Sequence, residues 1–307
     1  MLKRICAFFL SVLMWLMPWL HLPQQPVEED LKLKYTNVFV HGLGGWGEEA
    51  PYYDIMPYWG MFGGDLMQYL NDKVFHAVCA SVSPRGSAWD RACELYAELA
   101  GTRVDYGKAH SERCGHERFG RDFSEEPLIP DWSSGRKIVL LGHSFGGRII
   151  IKLCARELPF TVDKVVLVDA AGVLPEKSPW EKFKQKLIAL TGWFFKLAII
   201  QKLFPHLIEA LRRRSGSADY NAATPVMRQT LVKVVNEDLC DLMPHITCPT
   251  LLIWGTADTA TPFSDAVKMN SLMPESAIVR LEGAGHFSFL DCQPQYLRVL
   301  ASFFNVS

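Results

Sequence analysis

The segment 142–146, which reads GHSFG, constrains the fold of this chain more than any other feature. An apolar run typical of a strand, Lys137–Leu141, precedes it, and a stretch with a helical pattern, Phe145–Glu157, follows it. A serine between a strand and a helix lies on a strained turn, and small residues two positions away on each side avoid backbone clashes. The turn also places Ser144 at a helix N-terminus, where N–H groups favour developing negative charge. The pattern predicts a reactive serine at the edge of a sheet.

Short apolar strands alternate with helical patterns along much of the chain. Strands are predicted at Thr36–Val40, His76–Val82, Lys137–Leu141, Lys164–Asp169, Thr250–Trp254 and Ala277–Leu281, and further helices at Asp90–Leu99 and Pro294–Phe304. This alternation predicts an α/β fold with a mostly parallel sheet flanked by helices. The polar segment Gly101–Gly135 is predicted to be a long irregular loop with a function of its own.

The alternation stops between residues 172 and 247, where helical patterns take over. An insertion between two core strands, at the end of the sheet where sites lie, favours a helical cap over 172–247 rather than a bundle at the sheet edge. The core is then predicted to comprise residues 31–171 and 248–307.

The N-terminal residues 1–30 differ from the rest of the chain. Lys3 and Arg4 precede the apolar run Ile5–Leu20, and a polar stretch follows. The pattern predicts a signal peptide or a membrane anchor, and therefore an exported or membrane-associated protein; a buried or amphipathic helix is the alternative. A formal net charge of −1 offers no general attraction to nucleic acid, so we expect no such partner.

The eight cysteines form no CxxC pair, and most are expected to be small buried apolar residues. In an exported protein, Cys240 and Cys248 are close enough in sequence to form a local disulfide.

A serine hydroxyl needs a base to become a nucleophile, and the base needs a carboxylate to orient it. Asp258 and His286 each follow a predicted strand, in the order Ser, Asp, His that is expected when the serine lies on such a turn. The sequence predicts a catalytic triad of Ser144, His286 and Asp258. Taken singly, Asp258 would be read as a loop-capping carboxylate and His286 as a surface histidine.

An oxyanion formed at this serine needs two hydrogen-bond donors. The backbone N–H of Phe145, directly after the serine, is one expected donor. The other is expected from Leu43, in the loop after the first strand, where Gly42 allows close backbone approach. His41 is expected to be a structural residue of that turn.

Residues 137–307 resemble the broad α/β-hydrolase family. The resemblance rests on GHSFGG (142–147), LVDAAG (167–172), LLIWGTADTATP (251–262) and LEGAGHFSFL (281–290). It implies the α/β-hydrolase fold with a helical cap after LVDAAG, the Asp258 and His286 pair, and no cofactor for catalysis.

Residues 36–121 resemble a narrower family, the thermostable secreted triacylglycerol lipases of Gram-positive bacteria. The matching segments are VHGLGGWG (40–47), YWG (58–60), GGDLMQYLND (63–72), WDRACELYAEL (89–99), VDYGKAH (104–110) and GHERFGRDF (115–123). The resemblance implies a structural zinc ion bound by Asp90, His110 and His116, residue types that zinc prefers; solvated polar residues are the alternative. The fourth ligand of that family, an aspartate in the later half, has no identified equivalent, and Cys114 is a candidate substitute. Those lipases also carry glutamine where this chain has Phe145.

These features together predict a serine carboxylester hydrolase that works through an acyl-enzyme on Ser144. Apolar runs and clustered lysines and arginines in the cap favour lipid-like or acyl esters as substrates, and membrane association through the N-terminus and the cap. A carbon–carbon bond hydrolase of the same fold, a non-catalytic binding protein and a cofactor-free perhydrolase are the alternatives.

Overall fold

A computed structural model describes residues 35–61, 64–73, 76–129, 137–156, 158, 160–174 and 236–304. Its strands are β1 (Tyr35–Val40), β2 (His76–Cys79), β3 (Arg103–Asp105), β4 (Phe119–Asp122), β5 (Lys137–His143), β6 (Val162–Val168), β7 (Thr250–Gly255) and β8 (Ser276–Leu281). Six of them form one sheet in the order β2-β1-β5-β6-β7-β8, and every neighbouring pair is parallel. The predicted mostly parallel sheet is confirmed.

Helices flank this sheet. They are α1 (Leu66–Lys73), α2 (Ala88–Ala100), α3 (Lys108–Cys114), α4 (Phe145–Cys154), α5 (Phe263–Leu272), α6 (Ser288–Asp291) and α7 (Gln293–Phe303), together with a 3-10 helix, Cys240–His245. Helix α2 shows why the boundaries fall where they do. The Ser87 hydroxyl accepts the N–H of Asp90 at its start, and Gly101 ends it in the left-handed conformation, with φ 63°.

The central strands are buried on both faces, because helices cover both sides of a parallel sheet. Val38, Leu140, Leu167 and Leu252, one from each of four adjacent strands, have no solvent exposure. Each such side chain stabilises the fold by roughly 1.5–3 kcal/mol relative to an exposed position. The sheet is therefore a rigid platform for the loops at the carboxyl ends of its strands.

The expectation that residues 101–135 form an irregular loop is wrong for their described part. Strands β3 and β4 pair there as an antiparallel sheet, and α3 lies between them in the chain. A small apolar cluster of Cys93, Ala97, Val104 and Phe123 connects this hairpin to α2. So few apolar residues produce no clear periodicity, which is why the sequence pattern did not reveal the hairpin.

Most of the predicted cap, residues 175–235, and the predicted leader, residues 1–30, lie outside the described residues. Contacts divide the chain into one unit of Met1–Val173 with Asp238–Ser307 and another of Leu174–Glu237. The 3-10 helix, with Met243 buried, therefore groups with the sheet although it falls within the predicted cap. Among the described helices, none has both the length and the apolar character needed to cross a membrane.

The cysteines differ in part from expectation. Cys79 and Cys93 are buried, Cys114 is exposed and the four other described cysteines are half-buried. Cys240 and Cys248 are both free thiols, so the suggested local disulfide is not formed.

Candidate active site

Ser144 occupies a strained turn between β5 and α4. Its φ of 51° and ψ of −115° lie in a region that residues with a side chain rarely adopt. The turn is fixed to the next strand, because the N–H of Ser144 donates to the carbonyl of Val168 at 3.0 Å. A Cβ on Gly146 would lie 2.2 Å from the carbonyl oxygen of Val40. Glycine is required there because the turn presses the helix start against β1.

The structure brings the three predicted triad side chains together. The Nε2 atom of His286 lies 3.0 Å from the Ser144 Oγ, and its Nδ1 lies 2.8 Å from the Oδ2 of Asp258. A carboxylate only accepts hydrogen bonds, so Nδ1 carries the proton and Nε2 is free to accept the serine proton. The three residues come from loops after β5, β7 and β8, which end at the same edge of the sheet.

Asp258 is held as an ionised acceptor. Its Oδ1 accepts the N–H groups of Ala260 at 2.7 Å and Thr261 at 3.1 Å, and its Oδ2 accepts the Thr261 hydroxyl at 2.6 Å. Burial acts to raise the pKa of Asp258, but the hydrogen bonds from His286 and Thr261 outweigh it and lower the pKa below its ordinary value. The carboxylate therefore stays charged beside the imidazole.

The loop that carries the predicted oxyanion donor Leu43 lies beside the serine turn. A Cβ on Gly42 would lie 3.4 Å from the Cβ of Ser144, so the loop after β1 packs directly against the serine. In this loop the N–H of Gly42 donates to the Tyr58 hydroxyl at 3.0 Å, and the N–H of Gly44 donates to a backbone carbonyl at 2.8 Å. Leu43, between them, donates to no other described residue. Phe145 begins α4, so its N–H lies outside the helical ladder.

Arg91 is buried against this loop, and the sequence analysis did not identify it as a site residue. Its guanidinium donates to the carbonyl of His41 at 2.9 Å and to that of Gly42 at 3.2 Å. Burial lowers the pKa of Arg91 to about 10. Burial and the nearby Arg91 charge lower the pKa of His41 to about 3, and this neutral ring contacts the Val82 carbonyl at 3.1 Å. Arg91 and His41 thus hold the loop from its carbonyl side, and the geometry agrees with a structural His41.

Asp169 connects the loops that carry Asp258 and His286. Its Oδ1 accepts the N–H of Gly255 at 2.8 Å and its Oδ2 accepts the N–H of Ser288 at 3.0 Å. Burial raises the pKa of Asp169 to about 6, against the lowering effect of these hydrogen bonds. Asp169 lies in the segment LVDAAG (167–172), which marked the position in the sequence without indicating this contact.

His143, which directly precedes the serine, contacts two polar groups with its ring. The Tyr58 hydroxyl lies 2.6 Å from Nδ1 of His143, and Nε2 of His143 lies 2.8 Å from the carbonyl oxygen of His286. Burial, assisted by the nearby His286, lowers the pKa of His143 to about 3, so its ring is neutral. Sequence reasoning missed both residues, although Tyr58 falls in one of the segments shared with the lipases.

The three predicted zinc ligands also converge. We call Asp90, His110 and His116 the histidine–aspartate cluster. The Asp90 Oδ1 lies 2.7 Å from Nε2 of His110 and 3.6 Å from Nε2 of His116. The Nδ1 of His116 donates to the Glu117 carbonyl at 2.8 Å, so Nε2 is the ring nitrogen that faces Asp90. Two imidazole nitrogens and a carboxylate oxygen brought together in this way are a ligand set that suits a zinc ion.

Cys114 lies on the other side of the cluster. Its Sγ is 4.0 Å from Nδ1 of His110, the ring nitrogen that faces away from Asp90. His110, Cys114 and His116 nevertheless offer ligand atoms within 4.8 Å of one another.

Comparisons with known proteins agree with this architecture. A family model described as "Lipase-like, C-terminal domain" matches residues 33–158, and one described as "Serine aminopeptidase, S33" matches residues 127–293. Lipase 2 of Staphylococcus aureus is 44% identical over 119 residues, which cover 38% of this chain and 17% of that relative's length.

Two solved structures share the fold. EstA from Clostridium botulinum, at 19% identity, covers 89% of this chain and 88% of its own with a TM-score of 0.55. An esterase from Exiguobacterium antarcticum, at 18% identity, covers 88% and 92% with a TM-score of 0.50. The serine aminopeptidase S33 model spans more than half of the chain, and the strand order agrees with the α/β-hydrolase fold, so this chain belongs to that family of α/β-hydrolases.

Proposed function

We propose that this protein is a serine hydrolase that cleaves carboxylic esters through an acyl-enzyme on Ser144. One observation carries the proposal: the His286 ring bridges the Ser144 hydroxyl and the Asp258 carboxylate, at 3.0 Å and 2.8 Å. A residue in contact with both partners can move a proton between the serine and a leaving group.

The reaction follows from these contacts. The Oγ of Ser144 attacks the ester carbonyl carbon while Nε2 of His286 takes its proton, and the oxyanion receives the N–H groups of Leu43 and Phe145. The protonated His286 then gives this proton to the leaving alcohol as the carbon–oxygen bond breaks. Water next loses a proton to His286 and attacks the acyl carbon, which releases the carboxylic acid and restores Ser144.

Lipid-like or acyl esters are the proposed substrates. The support is the match of the front of this chain to a lipase, 44% identical over 119 residues. Apolar runs in the predicted cap, and the basic and apolar N-terminus, support export and contact with a lipid surface. These segments lie outside the described residues, so this part rests on sequence alone.

A fluorophosphonate probe and a set of p-nitrophenyl esters of increasing acyl length test the proposal. The wild type should be labelled at Ser144 and should hydrolyse the esters, whereas Ser144→Ala should do neither while its melting temperature stays near that of the wild type. Amino-acid p-nitroanilides are the matched control substrates, because the family description names an aminopeptidase. Unlabelled wild type, or cleavage of the anilides in preference to the esters, would refute the proposal.

We further propose that the histidine–aspartate cluster binds a structural zinc ion. Its three side chains are only 19%, 10% and 33% exposed for Asp90, His110 and His116, and their ligand atoms already lie close together. The bound ion would join α2 to the segment that carries α3, in a region with little apolar packing of its own. It would have a structural role and take no part in the ester chemistry.

A further inference from the structure

A buried chain of hydrogen bonds connects the loop of the oxyanion donors to the loop of the base. It runs from the N–H of Gly42 to the Tyr58 hydroxyl, from this hydroxyl to Nδ1 of His143, and from Nε2 of His143 to the carbonyl of His286. The three distances are 3.0, 2.6 and 2.8 Å. Each is within the normal range for a hydrogen bond.

The direction of every bond in this chain is determined. The carbonyl of His286 can only accept, so Nε2 of His143 carries the hydrogen. The ring of His143 is neutral, so its Nδ1 is bare and must accept the hydrogen of the Tyr58 hydroxyl. The hydroxyl oxygen is then left to accept the N–H of Gly42, which can only donate. No member can reverse its role without breaking a bond.

The members of this hydrogen-bond chain lie beside groups of the proposed mechanism. Gly42 directly precedes Leu43, and His143 directly precedes Ser144. The third contact reaches the backbone of the base itself. The same hydroxyl also limits the loop sterically, since a Cβ on Gly42 would lie 2.7 Å from it.

Water has no ready access to replace these contacts. Tyr58 is 7% exposed and His143 is 1% exposed. The ring of Trp59 lies 6.0 Å from that of His143, and the ring of Phe289 lies 5.1 Å away on centroid distances. A buried donor or acceptor that loses its partner is left unpaired, which is costly.

We propose that Tyr58 is a positioning residue that acts through His143 to hold the oxyanion loop and His286 in place relative to Ser144. The inference rests on the proposed function. It predicts that Tyr58 contributes to the rate of the chemical step although it lies outside the triad.

Tyr58→Phe tests the inference, because it removes one oxygen and keeps the ring. We expect kcat to fall at least about tenfold, because the two buried hydrogen bonds of this hydroxyl, with Gly42 and with His143, are both lost. KM should stay within about twofold of the wild type. Tyr53→Phe is the matched control: Tyr53 is also buried, and its hydroxyl contacts Asp65 at 3.4 Å, away from the triad. Rates are expressed per active site titrated with the fluorophosphonate, so that misfolded protein does not count.

A second variant, His143→Phe, asks whether Tyr58 acts through His143. In the His143→Phe background the chain of hydrogen bonds is already interrupted, so adding Tyr58→Phe should change kcat by no more than about twofold. If Tyr58→Phe lowers kcat by the same factor in the wild type and in His143→Phe, the inference is overturned. It is also overturned if Tyr58→Phe and Tyr53→Phe have the same kcat.

A measurement on the wild type covers the case in which Tyr58→Phe does not fold. Nitrogen-15 NMR of labelled histidines at pH 5 should show His143 neutral and protonated at Nε2; a ring protonated at Nδ1 would overturn the inference. Absence of probe labelling in the wild type would refute the proposed function itself. If the wild type is labelled but kcat of Tyr58→Phe equals that of the wild type, only the role of Tyr58 is refuted.

Discussion

Asp258→Asn is expected to abolish the action of His286 as a base while the fold is kept. The two carboxylate oxygens have different partners: Oδ1 accepts the N–H groups of Ala260 and Thr261, and Oδ2 accepts from His286 and from the Thr261 hydroxyl. An asparagine can satisfy the two N–H groups only with its carbonyl oxygen. Its amide nitrogen must therefore take the place of Oδ2 and face the imidazole.

The tautomer of His286 then reverses. The amide nitrogen donates, so Nδ1 must accept, and the ring hydrogen moves to Nε2, the atom 3.0 Å from the Ser144 Oγ. An imidazole with a hydrogen at that position cannot take the serine proton. A triad trapped in the wrong tautomer loses about 10⁴ in rate, which corresponds to about 5.5 kcal/mol of transition-state stabilisation.

Stability should change by less than about 1 kcal/mol, because the two side chains have the same shape and no partner is left unpaired. The Thr261 hydroxyl can still donate to the Asp169 carbonyl, at 3.0 Å. The assay is kcat/KM on a p-nitrophenyl ester at pH 8, with a denaturant unfolding curve for each variant. Thr261→Val is the matched control, since it removes a donor to the same carboxylate and leaves the tautomer as it is. A loss of less than tenfold in Asp258→Asn, or a loss equal to that in Thr261→Val, would refute the reasoning.

Three further outcomes can be checked. Burial raises the pKa of Glu98 from 4.5 to about 8, so its contribution to stability is full below pH 4.5 and is lost as the pH rises through 8. Glu98→Gln does not titrate, so the free energy of unfolding in urea should rise in the variant relative to the wild type between pH 5 and 8, by up to about 1.4 kcal/mol per pH unit. A difference that stays constant with pH would contradict this. Cobalt(II) should bind to the histidine–aspartate cluster of the wild type, and this binding should be lost in His110→Ala. The visible spectrum of bound cobalt should be the same in Cys114→Ser as in the wild type. A thiolate charge-transfer band that disappears in Cys114→Ser would instead show that the cysteine is a ligand. Gly146→Ala should lower the free energy of unfolding by about 3 kcal/mol, because its Cβ would meet a backbone oxygen at 2.2 Å. Gly172→Ala is the control: its Cβ would meet only side-chain ends at 3.1–3.3 Å, so it should lower the free energy of unfolding less in the same denaturant assay. Equal decreases in the two variants would show that the backbone clash is relieved.

Local patterns were sufficient to predict the sheet and to nominate the candidate triad. Ser144, Asp258 and His286 each lie within five residues of the end of a strand, and parallel strands bring their carboxyl ends to one edge. A side chain at that position is thus placed by the strand before it. For the same reason, Leu43 and Phe145 could be named from their place beside a strand end.

The hairpin of β3 and β4 shows where such reasoning fails. Its stability comes from a few apolar contacts with α2, among them Val104 and Phe123, and from no periodic pattern of its own. The arrangement of the histidine–aspartate cluster depends on this packing. The sequence alone, through its resemblance to the lipases, supplied the ligand identities but not their distances.

Tyr58, Arg91 and Asp169 mark what only the tertiary structure decided. Tyr58 contacts His143 across 85 positions of the chain, and Asp169 contacts Ser288 across 119. Contacts over such separations depend on the strand order β2-β1-β5-β6-β7-β8, which no local pattern encodes. The sequence by itself determined which side chains are placed at the sheet edge, because strand and turn preferences act over a few residues. The packing of the whole sheet determined how those side chains are held, because a buried polar atom must find its partner wherever the fold has placed it.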